Sequence, residues 1–173
     1  RIARMMPLAH DVMAVYLKLP AVSRLGFLPG QYVDVLMADE HRRSFSLANP
    51  PHDDKLLELH VRHVPGGHFT TEVFHKLHEG ALLRLQGPLG TFFLREESTR
   101  PILMVAGGTG FAPIKSMLRH IWEQRSEPRR IVFYWGARAR RDLYADAWLR
   151  EQAASQPDFS YIPVLSEPAL EDA

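Results

Sequence analysis

Cysteine is absent from all 173 residues. Its absence excludes disulfides, thiolate metal centres, a cysteine nucleophile and any iron–sulfur cluster held by this chain itself. Net charge is nearly absent too: 21 Lys and Arg stand against 20 Asp and Glu, leaving +1. Such a balance gives no electrostatic reason to expect nucleic acid or an acidic membrane as partner. No apolar run approaches the roughly eighteen residues of a membrane span, and no secretory leader pattern opens the chain, so a cytoplasmic setting is expected. A G-x-S-x-G elbow is missing, which removes the usual context for a serine nucleophile. Internal repeats and low-complexity tracts are missing as well.

What remains is the composition of a globular chain, 46% hydrophobic and 24% charged, with length for one large or two small domains. The first residue is Arg1, and the closing stretch over residues 166–173 has a loop composition; a fragment at both ends is expected. Before about Arg100, short alternating segments at 11–19, 31–37 and 56–64 read as antiparallel strands of a barrel or sandwich. They are punctuated by Pro29-Gly30, Asn49-Pro50-Pro51 and Pro65-Gly66-Gly67. A short helix is expected over 70–78, with Gly80 ending it. After Arg100 strands and helices alternate: strand 102–106, helix 112–124, strand 131–135, helix 142–154, strand 161–165. That rhythm predicts a parallel, doubly wound sheet. The expected division is a barrel domain over 1–97 and an α/β domain over 98–173.

Three segments carry chemistry. In the first, the apolar run Ile102-Leu103-Met104-Val105-Ala106 breaks into Gly107-Gly108-Thr109-Gly110-Phe111-Ala112-Pro113. Glycines let the backbone turn tightly and let a ligand approach it, and the free N–H groups opening a helix favour an anion. Pro113 suits a first helical turn, which has no N–H bond to lose. The dinucleotide fingerprint G-x-G-x-x-G is met only in part, by Gly108 and Gly110. Lys115-Ser116 resembles the end of a P-loop, but Ile114 stands where that motif needs glycine. By itself the turn fits either a nucleotide site or a ligand-free strand-to-helix connection.

The second segment, Arg42-Arg43-Ser44-Phe45-Ser46, offers a donor fork, an aromatic face and a hydroxyl together. These parts suit a flavin: arginine for phosphate, the ring against the isoalloxazine, serine for a ring nitrogen. An exposed edge strand with solvated arginines is the alternative. In the third, His60-Val61-Arg62-His63-Val64-Pro65-Gly66-Gly67-His68-Phe69-Thr70-Thr71, a strand ends in a Gly-Gly turn before a helix opened by a threonine cap, which fits either a phosphate site or an ordinary capped helix. His60, His63, His68, His75 and His78 crowd this region without the spacing of a zinc motif, so they read as surface or flavin-lining groups and no metal is expected.

These segments, in this order, resemble the ferredoxin-NADP reductase superfamily. Arg43-Ser44-Phe45-Ser46 is similar to its R-x-Y/F-S flavin motif, Gly66-Gly67 with Thr70 to its flavin-phosphate turn, and Gly107 to Pro113 to its nicotinamide-nucleotide motif. Gln31-Tyr32, the Gly87-Pro88-Leu89-Gly90 turn and Tyr134-Trp135-Gly136-Ala137-Arg138 add to the match. Phe45 stands where tyrosine is commoner. Within the superfamily the chain looks most like NAD(P)H-flavin reductases and reductase components of the CDP-6-deoxy-Δ3,4-glucoseen reductase and phenol hydroxylase reductase kind.

The resemblance implies an antiparallel Greek-key β-barrel that binds FAD, with FMN less favoured, followed by a truncated doubly wound NAD(P)-binding domain. Family members continue past the third parallel strand to a Cys-Gly-Pro-Pro-like segment. The implied activity is hydride transfer from NAD(P)H to the flavin, then electron release to an iron–sulfur domain or partner protein. Ser46 and Thr109 would flank the reacting rings. Arg43, Gly66, Gly67 and Thr70 would hold flavin phosphates, Phe45 would pack on the ring, and His60, Val61 and Arg62 would offer main-chain contacts. Gly107, Gly108, Thr109, Gly110 and Pro113 would form the pyrophosphate turn, with Gly136 and Arg138 on the adenosine side. The choice between NADH and NADPH stays open, as do two further readings: a flavin reductase releasing reduced free flavin, and a non-catalytic flavin- or nucleotide-binding electron-transfer subunit.

Overall fold

A computed structural model describes residues 1–21, 23–37, 41–124 and 129–169, apart from the side chain of His68. The end of the loop expected over 166–173 thus lies outside the described residues. Six strands form the first half: β1 (Ile2–Ala9), β2 (Val12–Leu17), β3 (Tyr32–Leu36), β4 (Arg42–Ser46), β5 (Leu57–Arg62) and β6 (Arg84–Leu89). They pair antiparallel as β1-β2-β5 and β4-β3-β6. A single bridge between Leu47 and Leu59 joins the two sheets, giving the Greek-key order β1-β2-β5-β4-β3-β6. Among the described residues no ladder closes the barrel. At its seam the Ile2 N–H donates to the Ala81 carbonyl and the Gly80 N–H to the Ile2 carbonyl, both at 2.8 Å.

Alternation explains the barrel core. Val33 and Val35 on β3 and Leu57, Leu59 and Val61 on β5 are almost fully buried and pack with Val15, Leu17, Leu47 and Phe69. Burying each such side chain contributes about 1.5–3 kcal/mol. Helix α1 (His68–His75) closes one end through Phe69 and Val73. It differs from the expected helix at both ends. Gly67 occupies the N-cap without a side-chain cap bond, and the helix stops at His75, well before Gly80. Gly80 is held by the seam bond to Ile2, so its positive φ serves barrel closure rather than helix termination.

The second half is a parallel sheet in the order β7 (Ile102–Gly107), β8 (Ile131–Ala137), β9 (Phe159–Leu165). Helix α2 (Phe111–Gln124) connects β7 to β8, and α3 (Asp146–Ser155) connects β8 to β9. Register places Met104 beside Phe133 and Tyr161, and Ala106 beside Trp135. That face packs against Ile114, Met117, Leu118 and Ile121 of α2 and Leu149 of α3. The opposite face aligns Leu103 with Val132, and Val105 with Tyr134 and Ile162. Leu103 and Val105 remain about 70% exposed there, so the described part carries one helical layer. The helix expected over 142–154 divides: Arg140–Asp142 is one 3-10 turn, and α3 begins four residues beyond it. The Asp142 carboxylate accepts the Ala139 N–H at 3.2 Å, and Leu143 leaves helical backbone angles. Asp142 therefore closes the short turn instead of opening α3.

Candidate functional site

The flavin-type and nucleotide-type segments meet at one cavity of about 650 Å³. Arg43, Ser44, Phe45 and Ser46 come from β4, His60 and Arg62 from β5, and Gly67, Phe69 and Thr70 from the turn into α1; Thr109, Gly110 and Ala112 close it from the parallel half. Gly66, Val61, Gly107, Gly108, Pro113, Gly136 and Arg138 do not line this cavity. Val61 points into the barrel core, Pro113 is buried in the first turn of α2, and Gly136 lies one residue before the end of β8, beside Gly107. Arg138 lines a separate cavity of about 370 Å³ with Arg62, Arg141, His10, Asp11, Asp142 and Glu167.

Local chemistry shapes each wall. Strand β5 pairs with β2 along its full length, while its other edge meets only the segment just after β4, through the Leu47–Leu59 bridge and the Ala48 N–H donated to the Glu58 carbonyl at 2.8 Å. Beyond Leu59 its second edge has no ladder partner among the described residues, and backbone polar groups there are available to a ligand. Phe45 packs on Phe69 with ring centroids 5.3 Å apart. The Ser44 hydroxyl donates to Asp34 at 2.6 Å, whereas the Ser46 and Thr109 hydroxyls have no partner among the described residues. Thr70 does not cap α1 as expected. Its hydroxyl accepts the Val64 N–H at 3.1 Å, pinning the Val64–Gly67 turn from inside the helix. A Cβ on Gly67 would lie 2.7 Å from that hydroxyl oxygen, so the turn tolerates only glycine at this close approach.

The glycine turn is equally constrained. Gly108 has φ +51°, and a Cβ there would sit 2.7 Å from Arg62 Nη1. The turn is a single 3-10 turn over Gly108–Gly110, held by the Trp135 indole N–H donating to the Gly108 carbonyl at 2.9 Å. Thus the Arg62 guanidinium, from the barrel, lies directly over the turn from the parallel half. Its buried Nε makes no directed hydrogen bond, although Asp11 Oδ2 is 3.1 Å away.

Sequence reasoning missed a polar network behind this cavity. Glu58, 4% exposed, receives Lys115 Nζ at 2.6 and 2.8 Å and His60 Nε2 at 3.0 Å. His60 Nδ1 is 3.0 Å from the Tyr144 hydroxyl. A carboxylate only accepts, so His60 carries its proton on Nε2 and accepts from Tyr144 at Nδ1. Burial alone would raise the Glu58 carboxyl, but the hydrogen bond from His60 and the Lys115 ammonium outweigh it and hold the group down at about 2. Burial pushes His60 below its ordinary value, against the opposing pull of Glu58, and pushes the Tyr144 hydroxyl up. Lys115 and Ser116, which looked like a P-loop remnant, therefore dock α2 on the barrel; Ser116 donates to the Asn49 carbonyl at 2.8 Å. The alternation of Leu57, Leu59 and Val61 with Glu58, His60 and Arg62 was the available signal for an outward polar stripe.

Among the described residues, one group brings potential metal ligands together, and it is not in the expected histidine region. His10, Asp11 and Asp142 place ligand atoms within 4.8 Å of one another. Guanidinium groups of Arg62, Arg138 and Arg141 line that cavity, and Arg62 already lies 3.1 Å from the Asp11 carboxylate.

The site as a whole suits a flavin nucleotide. Its volume falls in the usual ligand range of about 300–1,000 Å³. The Arg62 guanidinium lies over the glycine turn at its edge, Arg43 bonds only the Arg42 carbonyl among the described residues, and Phe45 supplies an aromatic wall. Residues 1–94 match the family described as oxidoreductase FAD-binding domain. The chain belongs to that family. Residues 104–173 match the oxidoreductase NAD-binding domain, so the ligands of the two halves are FAD and a nicotinamide nucleotide.

Relatives agree. The chain is 45% identical over 157 residues to protein RfbI of Salmonella typhimurium, covering 90% of this chain and 46% of that protein. It is 39% identical over 158 residues to the ferredoxin–NAD(P)(+) reductase component of the naphthalene 1,2-dioxygenase system of Pseudomonas putida, covering 91% and 47%. The crystal structure of the Amycolatopsis cytochrome P450 reductase GcoB superposes with a TM-score of 0.87 at 37% identity, over 97% of this chain and 51% of that one. The chain spans about half the length of the curated relatives it matches. No helix among the described residues is long and apolar enough to cross a membrane.

Proposed function

We propose that this chain is the flavin- and nicotinamide-binding part of an NAD(P)H-dependent reductase that delivers electrons to an iron–sulfur domain or partner protein. The observation that carries the reading is the shared cavity, where Arg43, Phe45 and Ser46 of the barrel face Thr109 and Gly110 of the glycine turn. The names of relatives, one of them a ferredoxin–NAD(P)(+) reductase component, support the same acceptor class. The proposed units are 1–97 for FAD and 98–173 for the nucleotide; no strand or helix lies between Leu89 and Ile102. A cytoplasmic setting, where nicotinamide nucleotides are available, completes the proposal.

When bound, FAD supplies a two-electron acceptor for the nicotinamide hydride and a one-electron donor for an iron–sulfur centre. The chain's own residues do the rest. Arg43 and Arg62 neutralise phosphate, with the Val64–Gly67 turn and Thr70 shaping the pocket that holds it. Phe45 supplies a flat wall for the ring, and the Ser46 hydroxyl donates toward its edge. His60, Val61 and Arg62 present the unpaired edge of β5. Thr109 and the Gly107–Gly110 turn let the nucleotide approach the backbone, Pro113 keeps the first turn of α2 in place, and Gly136 and Arg138 border the adenosine side. Val64, Phe69 and Ala112 exclude water from the junction.

The reading is tested by reconstituting the full-length protein with FAD and adding NADH or NADPH without oxygen. Yellow absorbance should appear on reconstitution and bleach on addition of one of the nucleotides. Absence of flavin binding overturns the proposal. Binding without bleaching reduces it to a flavin-binding subunit, and release of FAD on purification favours a reductase of free flavin.

A further inference from the structure

Strand β5 has two unlike faces. Leu57, Leu59 and Val61 fill the barrel core, while Glu58, His60 and Arg62 look outward. Each outward residue reaches a different part of the nucleotide half. Glu58 holds Lys115 of α2, Arg62 lies over Gly108, and His60 takes the hydroxyl of Tyr144. Tyr144 sits just beyond the Arg140–Asp142 turn, in the loop that also carries Arg138 and Arg141. Its ring is wedged edge-on against Trp135 and Phe111, with centroids 5.1 and 5.9 Å away. Trp135 in turn holds the Gly108 carbonyl. One side chain thus joins the adenosine-side loop to both neighbours: its hydroxyl reaches His60, which lines the flavin-type cavity, and its ring packs on Trp135, which holds the glycine turn.

We propose that Tyr144 is a positioning residue: by holding His60 it fixes the nucleotide-binding half against the FAD-binding barrel, and so sets the approach of nicotinamide to flavin. The inference rests on the reductase reading above. Tyr144 lies outside the flavin-type cavity, so its loss changes alignment more than affinity. Reacting atoms must come within about 3–3.5 Å for transfer, and a shift of about 1 Å costs on the order of a hundredfold in rate. A single lost hydroxyl in a network of several contacts gives a smaller slip, and about a tenfold loss is expected. Glu58 and Lys115 keep the two halves docked while the slip occurs.

The test compares wild type with Tyr144→Phe, which removes only the hydroxyl, in the full-length protein reconstituted with FAD. FAD affinity and nucleotide affinity should stay within about twofold, while the limiting rate of anaerobic flavin bleaching falls about tenfold. A second readout needs no activity: in the FAD-free protein, amide exchange across residues 107–110 should quicken in Tyr144→Phe. A limiting rate within about twofold of wild type overturns the proposal, as does a rate loss matched by an equal loss of FAD affinity, which marks a merely structural role. If wild type binds no FAD, or is not bleached, the reductase reading fails. The amide-exchange comparison then still decides whether Tyr144 couples the two halves, and unchanged exchange overturns it.

Discussion

At the scale of single residues, the cavity's lining was legible while the network behind it was not. Arg43, Phe45 and Ser46 are sequence neighbours, as are Gly107 to Gly110, so local pattern was enough to single them out. Lys115 and Glu58 are 57 positions apart, and His60 and Tyr144 are 84 apart; nothing local announces such pairs. The buried network also makes stability depend on pH. His60 is depressed below its ordinary value of 6.5, and Glu58 below 4.5 to about 2. In both cases the unfolded chain binds a proton that the folded chain refuses, so acid favours unfolding. Stability present above about 6.5 should decline as pH falls, first through His60 and then, below about 4.5, through Glu58. Denaturant midpoints between pH 7.5 and pH 5 should therefore fall more in wild type than in His60→Asn. Equal slopes for the two proteins would contradict a neutral, buried His60.

At the scale of elements, strands with clean alternation were the legible ones. Segments 31–37 and 56–64 correspond to β3 and β5 because every second residue enters the core. Strand β1 escaped notice: it buries Ile2 alone, lies at a sheet edge and contains Pro7. Strand β6 escaped for a different reason. Its Gly87-Pro88 reads as a turn, yet the segment pairs with β3 from Leu36 to Tyr32. The α/β half was readable from its rhythm, but not the bareness of one sheet face. Leu103, Val105, Tyr134 and Val164 are all substantially exposed on β7, β8 and β9, an apolar patch of the kind that drives association. The 173-residue chain should self-associate with rising concentration in sedimentation runs. Val105→Lys should shift it toward monomer with helix content unchanged. A wild-type chain that stays monomeric throughout would show that this face is not a sticky surface.

At the scale of the whole molecule, the candidate site lies at a seam. Neither half encloses the cavity alone: β4, β5 and α1 provide three sides and the glycine turn provides the fourth. The seam is held by direct contacts, Lys115 with Glu58, Ser116 with Asn49, and Arg119 with Asp53 at 3.1 Å. This explains why the partial fingerprint Gly108–Gly110 was ambiguous when read alone. Its meaning depends on Arg62, a residue of the other half, lying across it.

The central claim is that this seam is an FAD site whose phosphate grip includes Arg43. It is tested most directly by calorimetric titration of FAD into the FAD-free protein, wild type beside Arg43→Ala. The account predicts one FAD per chain for wild type, and an affinity loss of about 10- to 100-fold for the variant, the value of a charge-assisted phosphate contact. No binding to wild type, or equal affinities in the two proteins, would contradict it.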